Sequence, residues 1–179
     1  MKKHTSFPYK AICFLDRDGT INVNVGYPHK AEELQLLPNA ALGIATMNRH
    51  QILVVVVTNQ SGIARGYFQL DDMHSFHQEI STQLAHEHAE ITEWRYCPHH
   101  PNDRCSCRKP STGMIDDIIT SFDVPMFFVG DSQSDMECAQ KIGATPFAIQ
   151  HTKAALVEGV HIVADLKEVA DRIIEDLPA

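Results

Sequence analysis

Apolar residues along the chain fall in short runs that stop abruptly at polar clusters. Ala11–Leu15 is one, halted by Asp16 and Arg17. Residues 52–57 read ILVVVV, apolar at every position; a strand buried on both faces, as in a parallel sheet, has that signature. Between these runs, residues 40–48 follow Pro38 and Asn39, a plausible helix entrance. Leu70, Met73, His77, Ile80 and Leu84 recur at spacings of three and four, predicting an amphipathic helix after Asp71 and Asp72. Further on, residues 91–96 predict a strand and 114–122 a helix. Residues 126–129 form an apolar strand stopped by Gly130-Asp131, and 137–142 a helix ended by Gly143. Short strands at 147–149 and His161–Val163 and a closing helix at 166–177 complete the chain. Strands alternating with helices predict an α/β fold with a doubly wound, mostly parallel sheet. No repeat or linker interrupts it, so residues 1–179 are expected to form one domain.

Charge narrows the function. The 179 residues carry a formal charge of −8, which argues against nucleic acid as a partner and weakly against an anionic membrane surface. A small phosphorylated metabolite is still admissible where a few cations and a metal are concentrated locally. The lysines at positions 2 and 3 have no apolar segment behind them, and no stretch approaches membrane-spanning length. Five cysteines without a secretion signal suggest a reducing compartment, so the expectation is a cytoplasmic monomer.

Chemistry sits where the strands end. Asp16-Arg17-Asp18-Gly19-Thr20 follows the first strand, Thr58-Asn59-Gln60-Ser61-Gly62 the second, and Gly130-Asp131-Ser132-Gln133-Ser134-Asp135 a later one. In a doubly wound sheet ligands bind beyond the carboxyl ends of the strands, so the three segments would crowd carboxylates around one pocket. Crowded carboxylates repel unless protonated or bridged, and oxygen ligands completed by water and phosphate suit Mg²⁺. One aspartate can attack phosphorus to form an aspartyl-phosphate, and a second, two residues on, can protonate the leaving oxygen and later deprotonate water. Lys109 is a compact cation suited to phosphoryl oxygens, while Arg108 presents a fork for a second anionic or hydroxyl-rich part of the substrate.

A second cluster has softer ligands. Cys97, Cys105 and Cys107, with His99 or its neighbour His100, lie within eleven residues in a Cys-x-His-x5-Cys-x-Cys order. Thiolate and imidazole suit Zn²⁺, and a full set of four makes a structural site. Free thiols are the alternative. His74 and His77 share a helix face without a third partner and are expected as surface and interface residues, whereas Cys13 and Cys138 are expected in the interior.

Together, DRDGT, TNQSGIARG, CRKP and GDSxxD, in this order and on these elements, resemble the haloacid dehalogenase superfamily of phosphatases. LDRDGTINV with GYPH, VVVVTNQSGIARGYF and CPHHP…CxCRKP are similar to its heptose bisphosphate phosphatase branch, with the histidinol-phosphate phosphatases as near relatives. The resemblance implies a HAD-like domain without a large cap, its site roofed by insertions at 22–30 and 97–107. It implies Asp16 as nucleophile and Mg²⁺ ligand, Asp18 as general acid/base giving its backbone carbonyl to the metal, and Asp131 as the remaining protein ligand, with Asp135 in support. Thr58 and Lys109 would hold the phosphoryl group. Asn24, Val25, Gly26, Tyr27, Thr58, Asn59, Gln60, Ser61, Arg108 and Lys109 would line the substrate site. The zinc ligands would be Cys97, His99, Cys105 and Cys107. Three features depart from the branch: Ser132 stands where a lysine is frequent, the zinc loop is short, as in the histidinol-phosphate phosphatases, and Thr112 stands where proline is usual before Gly113-Met114.

Overall fold

The computed structural model describes residues 8–150, 154 and 157–177; the amino-terminal residues 1–7 lie outside it. Among the described residues six strands form one sheet: β1 (Ala11–Leu15), β2 (Ile52–Asn59), β3 (Glu93–Cys97), β4 (Met126–Gly130), β5 (Thr145–Ile149) and β6 (His161–Val163). Their order is β3-β2-β1-β4-β5-β6 and every pairing is parallel, so the sheet is parallel throughout rather than mostly. The helices are α1 (Ala40–Arg49), α2 (Leu70–Ala85), α3 (Asp116–Ser121), α4 (Gln133–Ile142) and α5 (Leu166–Asp176).

The unbroken apolar runs follow from cover on both faces. Alternate residues of one strand enter opposite layers. Cys13 and Leu15 of β1, with Val54 and Val56 of β2, pack in the layer that holds Ile44 of α1, Phe76 and Ile80 of α2 and Val169 of α5. Ile12 and Phe14, with Val55 and Val57, meet Ile118 of α3 and Cys138 and Ala139 of α4 on the other side. Cys13 and Cys138 are accordingly buried.

Helix boundaries differ from the expectation where capping decides them. α2 begins at Leu70, one residue before the two aspartates, because the Asp72 carboxylate accepts from the backbone N–H of Gln69 at 2.7 Å. α4 begins at Gln133 rather than 137, because Asp135 accepts from the backbone N–H of Ser132 at 3.0 Å and closes the first turn. The apolar periodicity reports only the packed part of each helix.

His77 corrects the surface expectation. It is buried, stacked on Trp94 of β3 with ring centroids 4.2 Å apart, while His74 stays exposed. Burial, with the nearby Arg17 and His74, lowers the pKa of His77 to about 3, so it packs as a neutral aromatic ring.

Register brings the strand ends to one edge. Leu15 pairs with Val56 on one side and Val129 on the other. Asp16 follows Leu15 directly, and Thr58 and Asp131 lie two residues beyond Val56 and Val129, so the three emerge at one edge.

Candidate active site

Beyond that edge lies a cavity of about 270 Å³, lined by residues of all three segments and by Arg108 and Lys109. At its floor, Lys109 is nearly inaccessible. Its ammonium donates to Asp16 Oδ1 at 2.8 Å and to the Val57 carbonyl at 2.6 Å, and pairs with Asp135 Oδ1 at 2.7 Å. Asn59, the last residue of β2, fixes the lysine's backbone from both sides. Its side chain accepts from Lys109 N–H at 3.0 Å and donates to the Lys109 carbonyl at 3.3 Å.

Side-chain oxygens of Asp16, Asp131 and Asp135 lie within 4.8 Å of one another. Burial pushes Asp16 up to about 7; the Lys109 ammonium opposes this, and Asp135 and Asp131 reinforce it. Asp131 is raised to about 6, by burial first and then by Asp135. Burial alone would lower Lys109, but Asp135 and Asp16 outweigh it and hold the ammonium firmly charged. One cation facing three carboxylates leaves uncompensated negative charge, and a hard divalent ion bound through oxygen would neutralise it.

The close approach of these acids depends on two glycines. Gly19 has φ +83° and a Cβ there would collide with the Asp131 carboxylate; a Cβ on Gly130 would collide with Asp135. Only glycine tolerates both the conformation and the contact at position 19.

Asp18 is held differently. Its carboxylate accepts four hydrogen bonds: from Arg17 Nε (3.0 Å) and Nη2 (2.9 Å), Asn22 Nδ2 (2.9 Å) and Gln60 Nε2 (3.1 Å). Gln60 also donates to Thr58 Oγ1 at 2.8 Å, so the second strand end supports the first. The sequence singled out neither Arg17 nor Asn22. An arginine between two aspartates after a strand carries no periodic mark of burial.

Of the residues expected around the substrate, Asn24, Gly26, Tyr27, Thr58, Asn59, Gln60, Arg108 and Lys109 line the cavity. Val25 and Ser61 do not: the first is exposed and the second buried beside it. Ser132 and Ser134 join the lining, but the Ser132 hydroxyl is engaged by the Asp135 carboxylate at 2.6 Å. Arg108 carries a buried Nη1 with no hydrogen-bond partner among the described residues.

The thiol cluster assembles beside this wall. Cys97 Sγ lies 3.5 Å from His99 Nδ1, 3.6 Å from Cys105 Sγ and 3.3 Å from Cys107 Sγ. Cys107 Sγ is 3.2 Å from His99 Nδ1 and 3.4 Å from Cys105 Sγ. Metal–sulfur bonds of about 2.3 Å in a tetrahedron imply sulfur–sulfur edges of about 3.8 Å. The observed separations approach that value and are far beyond disulfide bonding. His100 instead accepts from the Asn102 N–H at 3.2 Å and caps a short turn, which removes it as the rival of His99. Burial raises Cys97 to about 12, whereas backbone and thiol hydrogen bonds outweigh desolvation and lower Cys105 to about 7.

Acids at two strand ends that share a buried lysine at the floor of one cavity fit a phosphatase of the haloacid dehalogenase type. Residues 11–160 match the polynucleotide kinase 3 phosphatase family. The D-glycero-beta-D-manno-heptose-1,7-bisphosphate 7-phosphatase of Rhodopseudomonas palustris is 38% identical over 155 residues, 81% of this chain and 86% of that protein. Its Pseudomonas putida counterpart is 36% identical over 91% of this chain and 99% of its own length. The crystal structure of D,D-heptose 1,7-bisphosphate phosphatase from Bordetella bronchiseptica, complexed with magnesium and phosphate, matches with a TM-score of 0.85 at 32% identity, covering 93% of this chain and 99% of that one. The chain belongs to the heptose 1,7-bisphosphate 7-phosphatase family within the haloacid dehalogenase superfamily.

Proposed function

We propose that this chain, acting as a cytoplasmic single-domain monomer, hydrolyses the 7-phosphate of a D-glycero-D-manno-heptose 1,7-bisphosphate. The observation that carries the reading is the meeting of Asp16, Lys109 and Asp131 at the floor of a cavity of about 270 Å³, with Arg108 on its wall. The relatives' activity and their near full-length coverage support the substrate.

In this mechanism Asp16 attacks phosphorus, and the bond from phosphorus to the sugar oxygen breaks. That oxygen takes the proton carried by Asp18. The Asp18 carboxylate then accepts a proton from water as the water attacks the aspartyl-phosphate, releasing phosphate and restoring both acids. Lys109 and Thr58 orient the phosphoryl oxygens, and Lys109 offsets their charge. Asp16, Asp131 and the Asp18 backbone carbonyl would hold Mg²⁺, which supplies further charge neutralisation when bound. Arg108 would take the second phosphate in a forked contact. Cys97, His99, Cys105 and Cys107 would hold a structural Zn²⁺ that fixes the approach of the adjoining Arg108.

The match to a polynucleotide phosphatase family does not shift the substrate toward nucleic acid. A net charge of −8 opposes a polyanionic chain, and among the described residues Arg108 and Lys109 are the only lysine and arginine lining the cavity. Phosphate release from a panel of sugar phosphates and histidinol phosphate, with and without Mg²⁺, tests the reading. Preference for the heptose bisphosphate in Mg²⁺ is expected; much faster hydrolysis of histidinol phosphate would overturn the substrate.

A further inference from the structure

Arg17, one residue after the nucleophile position, has the largest fully buried side chain among the described residues. Taking a guanidinium out of water costs several kcal/mol unless good partners replace the solvent. Here the partners are specific. Nε and Nη2 fork onto the two oxygens of the adjacent Asp18, Nη2 also donates to the Pro28 carbonyl at 2.9 Å, and the Phe76 ring of α2 lies 4.7 Å beneath the guanidinium. The backbone carbonyl of the same residue accepts from the N–H groups of Ile21 at 2.8 Å and Asn22 at 3.2 Å, shaping the turn that carries Asp18. Pro28 belongs to the segment whose Asn24, Gly26 and Tyr27 line the cavity.

We infer that Arg17 is a positioning residue, holding the plane of the Asp18 carboxylate for proton transfer and tying it to the substrate-facing loop through Pro28. Of the four donors on Asp18, only Gln60 lines the cavity, and its bond is the longest. It bonds Oδ2, so this oxygen can exchange Gln60 for the sugar oxygen while Arg17 and Asn22 keep Oδ1 in place. Lysine cannot reproduce the fork, because an ammonium is a point charge on a flexible stem. A misdirected acid harms the chemical step even when substrate still binds.

The inference rests on the phosphatase reading, and the test separates the two. A sugar phosphate leaves as an alkoxide and needs the proton from Asp18. p-Nitrophenyl phosphate releases a weakly basic phenolate and needs it far less in the first step. In the full-length, Mg²⁺-loaded protein, Arg17→Lys is expected to lower kcat on the sugar phosphate about 10²-fold, the lower end of general acid–base effects. The first-turnover burst of p-nitrophenol should fall much less, and KM for the sugar phosphate should change little. Asp18→Asn should give the same split, whereas Asp16→Asn abolishes both reactions. If Arg17→Lys lowers both first-turnover rates equally, or neither, the positioning role is wrong while the phosphatase reading stands. Wild-type protein inactive on both substrates would overturn that reading itself. Should Arg17→Lys lose its cooperative melt, Phe76→Leu, which removes the ring under the guanidinium, carries the same readout; equal slowing of both substrates in that variant would likewise refute the role.

Discussion

Replacing Lys109 by methionine tests the electrostatics of the site on a scale that the contacts set. The ammonium touches Asp16, Asp135 and the Val57 carbonyl at 2.6–2.8 Å, and the lysine side chain is only 1% exposed, so solvent screening is slight. Removing one partner of a buried ion pair costs about 3–5 kcal/mol, because the remaining charge stays uncompensated. In a chain of this size about 1 kcal/mol shifts Tm by about 2–4 °C. The metal-free Lys109→Met protein should therefore melt about 6–20 °C below wild type at pH 8, where Asp16 is largely ionised. Adding Asp135→Asn, which removes a carboxylate but keeps a group able to cap α4, should recover part of that loss. The double variant should be more stable than the sum of the two single losses predicts by about 0.5–3 kcal/mol, as for directly coupled residues. Calorimetry or dichroism read against temperature supplies both numbers. A Lys109→Met protein melting within a degree or two of wild type, or a double variant whose losses simply add, would refute the idea that one buried cation holds these acids together.

Other outcomes follow from the same geometry. Cys107→Ser should lower bound zinc, measured by elemental analysis, and reduce activity at least about tenfold through misplaced Arg108, within the range for disturbed metal-ligand shells; unchanged zinc content would rule out the structural site. The raised carboxylates give a pH signature. Asp16 and Asp131 bind protons more tightly when folded than when unfolded, so their favourable contribution is complete below about pH 4 and is lost as pH rises through about 6 and 7. Tm of the metal-free protein should fall across that window, and Mg²⁺ should restore most of the loss at pH 8, because it binds the ionised acids. A flat profile without metal would contradict the assigned burial of these groups.

Much of this architecture was legible because backbone burial writes itself into side-chain pattern. The run ILVVVV announced a strand covered on both faces, and the sheet places β2 between β1 and β3 with α-helices on either side. The acidic strand ends were visible for a related reason: in a parallel sheet the carboxyl ends of neighbouring strands meet, so acids that follow several strands converge on one edge. What stayed hidden was contact between side chains distant in sequence. His77 has the spacing of a core residue, yet its polarity suggested the surface; only the Trp94 ring across from it explains its burial. In the sequence Arg17 is only part of the polar cluster that halts a strand, because nothing local shows that its fork turns back onto Asp18 and its Nη2 reaches Pro28. Asp135 looked like a helix cap with a supporting role. It is both a cap and a partner of Lys109, one oxygen serving each. Val25 lay within a stretch assigned to the substrate by resemblance and points instead to solvent.

In the proposed reaction Asp16 becomes phosphorylated while Lys109 and the neighbouring acids manage its charge. Wild-type protein mixed with limiting substrate and Mg²⁺, quenched in acid within the first turnover and examined by peptide mass spectrometry, tests it directly. One phosphoryl group is expected on the peptide bearing Asp16, and none in Asp16→Asn. Phosphate released at full rate with no labelled Asp16, or with the label on another residue, would contradict it.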